Sequence, residues 1–251
     1  MSLILHMGTG RVERNALSQA ELPVATATHQ PIAHDYFVNL VQDKLEDRGL
    51  RVMEEAHGLN PAGSNYFGMF KLAPSDLVTR DFDLVVGMRN SHVKRFGAGV
   101  VAGANVMVCD NLSFSGDVKA VRKHTSLILD FLPELIGEAL GKFVNLSEIQ
   151  TRRFEAYKQR ELKTYEAEHL MIEMLRRGVI NAHRLPKLVE QWDNPDHLEF
   201  ANTGRSAWRM FNAATEALKG TNVNDVARKT TKLHTLTDEV VELDPSQWTT
   251  A

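Results

Sequence analysis

The stretch Phe82-Asp83-Leu84-Val85-Val86-Gly87-Met88-Arg89-Asn90-Ser91-His92, with Val93-Lys94-Arg95-Phe96-Gly97-Ala98-Gly99 directly behind it, decides the fold. An apolar run of strand length gives way to polar and basic residues and then to closely spaced glycines. That order reads as a strand, a functional turn and a second strand. Working outward, Leu50 to Ala56, Tyr66 to Leu72, Phe82 to Met88 and Gly99 to Asp110 are short Val/Phe/Met-rich segments parted by Gly, Pro, Asn and Ser. Leu112 to Phe114 adds a possible fifth. Short connections make an antiparallel meander the economical topology.

Helical spacing flanks this block on both sides. Before it, Phe37, Leu40, Val41 and Leu45 recur at helix period, and Gly49 stands where a helix stop belongs. After it, Val118, Val121, Thr125, Ile128 and Leu132 form one stripe that Pro133 is expected to interrupt. Ser147 and Gln150 have capping-box spacing ahead of one long helix carrying Phe154, Tyr157, Tyr165, Ile172, Leu175 and Val179 on its apolar face. Further helices are expected at Ala182 to Trp192, Arg205 to Lys219 and about Asp225 to Leu236. In the second of these, Trp208 and Phe211 lie on the core face, while Arg205, Arg209, Asn212 and Glu216 line another that either completes a site or is solvated. The expected class is α+β: residues 1–32 as an irregular arm, 33–145 as an α+β core and 146–251 as a helical subdomain.

Composition bounds the function. With 43% hydrophobic and 24% charged residues, the chain matches ordinary globular proteins rather than disordered ones. A formal charge of −3 argues against coating nucleic acid by net charge, so any such binding must be local. The single cysteine, Cys109, cannot form an internal disulfide, and Met1 to Gly10 lack a signal-peptide pattern. No apolar run approaches the roughly 18 residues of a membrane span. A cytoplasmic protein without a cofactor is expected.

The chemistry-bearing residues are Arg89-Asn90-Ser91-His92, Cys109-Asp110-Asn111 and Lys123-His124. A Cys109 thiolate would need His92 or His124 as its base. His92, Asp110 and His124 have acceptable metal-ligand types but no diagnostic spacing. Equally, Cys109 can be a small buried hydrophobe, Asp110-Asn111 a turn cap and His124 a hydrogen-bonded border histidine. Phosphate-cradle motifs are missing, which disfavours nucleotide hydrolysis. Lys119, Arg122 and Lys123, at i, i+3 and i+4 of the expected helix, would share one face and extend a basic groove begun by Lys94 and Arg95. Gly97, Gly99 and Gly103 either bend the backbone or admit a ligand.

Val86 to His92, Val106 to Asn111 with Phe114-Ser115-Gly116, Lys123-His124, and Trp208 with Phe211 to Glu216 together resemble the phage/plasmid-like proteins of domain-of-unknown-function family 932. The resemblance spans most of the chain. It implies a passenger of phages, prophages and plasmids, and work on DNA or in defence and counter-defence, without naming a reaction. The leading expectation is an accessory protein that binds nucleic acid, single-stranded DNA in particular. Arg89, Lys94, Arg95, Lys119, Arg122 and Lys123 would meet phosphates, and Asn90, His92 and Asn111 sugars or bases. An enzyme built on His92, Cys109, Asp110 and His124, and an inhibitor that binds a host or phage protein, are the alternatives. Homo-oligomerisation is left open.

Overall fold

The computed structural model of the chain describes residues 10–72, 82–106, 111–113, 119–142, 146–202, 204–221 and 223–242. It is an α+β protein with an antiparallel sheet and most of its helices in the C-terminal half. The strands are β1 (Gly10–Val12), β2 (Val52–Leu59), β3 (Asn65–Leu72), β4 (Phe82–Ser91), β5 (Ala98–Val106), β6 (Asn111–Ser113) and β7 (Lys119–Arg122). The helices are α1 (His34–Glu46), α2 (Ile128–Gly141), α3 (Leu146–Gln159), α4 (Thr164–Arg176), α5 (Leu185–Asp193), α6 (Leu198–Ala201), α7 (Ala207–Ala217) and α8 (Val223–Val240). No helix among the described residues is long and apolar enough to cross a membrane.

The strands follow one another in the order β1-β2-β3-β4-β5-β6, the expected meander, and β7 pairs with β5 as well. One edge of β5 is therefore shared end to end. Its beginning pairs with β7, Ala98 opposite Arg122 and Val101 opposite Lys119, and its end pairs with β6, Ala104 opposite Ser113 and Val106 opposite Asn111. The chain divides into two compact units. The first comprises residues 1–78, 83–103 and 116–146; the second comprises residues 79–82, 104–115 and 147–251.

In the first unit the expected helix after Pro31 forms as α1, with Phe37, Val38, Val41 and Leu45 fully buried. Gly49 ends it at φ +70°, a left-handed conformation that glycine enters without steric penalty. These side chains join Tyr66 and Phe70 of β3, Val86 and Met88 of β4 and Val100 of β5 in one apolar core. Residues 13–33 run mostly as irregular chain with one 3-10 turn at Arg14–Leu17, and Leu17 and Ile32 reach that same core.

The helix expected from Val118 is not there. Lys119–Arg122 is extended as β7, and α2 begins only at Ile128. A stripe read over so few residues fits both periods. Here the open edge of β5, whose backbone groups need partners, decides for strand. Pro133 does not stop α2 but lies inside it. The lost hydrogen bond and ring clash cost about 3 kcal/mol. Burial of Ile128, Leu132, Ile136 and Leu140 on one face, at about 1.5–3 kcal/mol for each large side chain, outweighs that.

In the second unit the single long helix expected from Ser147 is two. The chain breaks at Arg160–Lys163, where Leu162 donates its N–H to the Arg205 carbonyl at 2.8 Å and Ala207 donates to the Arg160 carbonyl at 2.8 Å. Glu166 then caps α4 by accepting the Lys163 N–H at 2.8 Å. On the expected polar face of α7, Arg205 is exposed whereas Arg209 and Asn212 are buried. Arg209 Nε donates to the Trp192 carbonyl at 2.8 Å and its Nη2 to the Asp193 carbonyl at 3.0 Å. A cation thus meets the C-terminal carbonyls of α5, where the helix dipole is negative. Trp208, Phe211 and Phe154 form an aromatic core, with Phe154 and Trp208 ring centroids 4.6 Å apart.

Beside that core lies a buried ionic cluster. Arg153 Nε donates to Asp238 Oδ1 at 3.1 Å, and Tyr157 donates its hydroxyl to the same oxygen at 2.5 Å. The Arg153 and Asp238 side chains are 2% and 4% exposed, so neither charge is hydrated. Asp238→Ala would remove a counter-charge from a buried guanidinium. It is expected to destabilise the second unit by about 3–5 kcal/mol, measured as a shift in urea unfolding. Tyr157→Phe removes a donor but no charge, and is expected to cost less, about 1–2 kcal/mol.

Candidate functional site

The polar end of β4 divides into two groups that face different tasks. Asn90 and His92 are buried and hold residues 13–33 to the first unit. Asn90 Nδ2 donates to the Ile32 carbonyl at 2.7 Å and to His34 Nδ1 at 2.9 Å. His92 places Nδ1 3.0 Å from the Glu21 carbonyl and Nε2 3.0 Å from the Ile32 carbonyl. Its ring stacks on that of His34 at 3.8 Å between centroids. His29, in turn, sets Nδ1 3.2 Å from the His124 carbonyl and Nε2 3.0 Å from the His92 carbonyl. A neutral imidazole donates to only one of two such carbonyls, and an imidazolium to both. Asn90 and His92 were expected to contact sugars or bases, but their geometry makes them fasteners of the N-terminal arm.

The turn that follows builds a cleft. Lys94, Arg95, Phe96 and Gly97 form one wall, Lys123, His124 and Thr125 another, and Thr28 and His29 close it. Its volume is about 410 Å³, and every described lining residue belongs to the first unit. The turn is tight enough that Lys94 adopts φ 60°. For a residue with a Cβ, that left-handed conformation costs about 1–2 kcal/mol. Gly97 admits a close backbone crossing: a Cβ there would lie 2.5 Å from the Arg122 carbonyl. It is glycine because the chain leaving β7 passes directly over it, which carries Lys123 and His124 to the cleft.

Lys94, Arg95 and Lys123 are exposed, and no acidic side chain lines the cleft among the described residues. None of the three takes part in an ion pair among the described residues. His124 is only 5% exposed, with neither ring nitrogen hydrogen-bonded among the described residues. Its ring lies 5.4 Å from that of His29. Desolvation, reinforced by the neighbouring His29, pushes the His124 pKa down to about 4. Desolvation and His92 push that of His34 down to about 3, and desolvation lowers His92.

The remaining expected residues are dispersed. Arg89 is half-buried, its guanidinium 5.4 Å from the Phe96 ring centroid, and Arg122 lies 5.8 Å from that of Phe131. Lys119 opens β7, opposite Val101, rather than sharing a helix face with Arg122 and Lys123. Asn111 pairs with Val106 in β6, in the second unit. Cys109 and Asp110 fall outside the described residues. No group of three or more His, Cys, Asp and Glu side chains among the described residues is placed to hold a metal. The sequence reading missed His29, His34, Thr28 and Phe96. The first three lie in or just after a stretch without periodicity, and only the density of histidines at positions 29 and 34 signals them.

No protein-family model matches the chain, and comparison with curated proteins and with solved structures finds no match.

The depressed histidines give a direction for acid stability. In the unfolded chain each takes up its proton near pH 6.5, whereas folded His124 and His34 wait until about 4 and 3. Between those limits the unfolded state binds more protons, so stability is fully present above pH 6.5 and declines as pH falls toward 4. The urea midpoint of the first unit is expected to drop between about pH 7 and about pH 5. In His34→Asn the drop should be shallower; an unchanged pH dependence would remove His34 as a cause.

Proposed function

We propose that the chain binds nucleic acid, single-stranded DNA above all, through the cationic cleft of the first unit, as an accessory protein of a mobile element. The observation that carries this reading is the convergence of Lys94, Arg95 and Lys123 on one cleft of about 410 Å³ whose described lining holds no carboxylate. In a chain of formal charge −3, cations gathered in one place supply the local potential that the whole molecule lacks. Phosphate oxygens are the complementary ligand, and release of their counterions drives binding. Phe96 supplies an apolar wall for a base or sugar. The resemblance of the central motifs to phage/plasmid-like proteins supports the same reading.

Fluorescence anisotropy with a labelled single-stranded oligonucleotide at graded salt tests it. Three neutralised phosphates should give a log–log slope of about −2. Alanine at Lys94, Arg95 and Lys123 together should flatten that slope and weaken binding about tenfold or more at low salt. Absence of binding by the parent protein at low salt would refute the reading.

A further inference from the structure

The cations that line the cleft among the described residues are clustered rather than strung out. Lys94 and Arg95 are neighbours on one turn, and Lys123 comes to them from the chain leaving β7. A strand followed along its backbone needs cations spaced along a path. Arg89 is half-buried against Phe96, and Arg122, though exposed beside Phe131, is not among the described residues that line the cleft. The cleft itself, at about 410 Å³, is near the small end of ligand pockets and has room for about one nucleotide.

From this convergence we infer that the cleft receives a phosphate monoester, the terminal phosphate of a nucleic-acid strand, and so holds its ligand by one end. The inference rests on the nucleic-acid reading above and narrows it. A monoester carries about −1.5 to −2 charge near neutral pH, against −1 for an internal diester. Three cations with no carboxylate among the described lining residues match the greater charge. His124 adds to the fit: its ring is part of the cleft wall, nine-tenths buried, and its nitrogens have no partner among the described residues. A dianion beside it offers the counter-charge that would make a proton on His124 favourable, adding a fourth cation to the wall. The same chemistry is presented by a free mononucleotide or inorganic phosphate, and the experiment separates the sources.

An internally labelled single-stranded oligonucleotide is compared with a 5′-phosphate, with a 3′-phosphate and with hydroxyls at both ends. Mononucleotide and inorganic phosphate serve as competitors. One phosphorylated form is expected to bind about tenfold or more tightly than the hydroxyl form, by loss of charge-assisted hydrogen bonds in the latter. Lys94→Ala and Lys123→Ala, both at exposed positions and so without a folding penalty, are expected to erase that difference; His124→Asn should reduce it. Equal affinity for all three oligonucleotides overturns the terminal-phosphate inference and leaves nucleic-acid binding standing. Binding of mononucleotide alone, lost in Lys94→Ala, keeps the monoester site and overturns the nucleic-acid reading. Binding of none of the probes overturns both.

Discussion

The cleft depends on the pairing of β7 with the first half of β5. Four residues, Lys119 to Arg122, satisfy the edge of Ala98 to Val101, and the chain that leaves them crosses Gly97 at a distance no side chain would allow. Without that pairing Lys123 and His124 would have no reason to stand opposite Lys94 and Phe96. The cations of the site come from two places far apart along the chain, and a backbone ladder, not attraction between the cations, brings them together. Like charges repel, so the sheet supplies the energy that holds them close.

Histidines organise the neighbourhood of this cleft. His29 and His92 each lie between two backbone carbonyls, and Asn90 ties His34 to the same carbonyl of Ile32 that His92 meets. Irregular chain has backbone groups that neither helix nor ladder satisfies; the His92 imidazole and the Asn90 amide meet the Glu21 and Ile32 carbonyls, and His29 reaches out of the arm to those of His92 and His124. His124 differs from the others, since its nitrogens meet no partner among the described residues. Placing the His124 ring on the cleft wall joins the arm's anchorage to the site, because His29 contacts both.

The second unit is held by a different balance. Arg153, Tyr157 and Asp238 form a buried polar cluster next to an aromatic core, and Arg209 closes the end of α5. Buried charges of this kind contribute little net stability when paired, yet they penalise any arrangement that separates them. They account for the polar positions on α3, α7 and α8 that would otherwise invite a functional reading.

Much of the fold was legible from residue order. Phe37, Val41, Leu45 and Gly49 specify α1 because helix period and a left-handed stop are local properties. The runs around Phe67, Val86 and Val100 specify strands because β-branched and aromatic side chains suit a pleated surface. Basic character at Lys94, Arg95 and Lys123 was equally legible. What the residues alone left undecided were contacts made at long range. Lys119 to Arg122 fit a helix by period and became a strand because β5 had an open edge. The stretch after Gln159 fit one helix and broke because Leu162 and Ala207 found backbone partners across 40 or more residues of chain. Asn90 and His92 looked like ligand contacts, and burial against Ile32 and Glu21 turned them into fasteners. Sequence by itself determined which local conformations were cheap and which charges were present; tertiary structure decided which charges meet in one cleft, because unsatisfied backbone groups choose their partners in space, not along the chain.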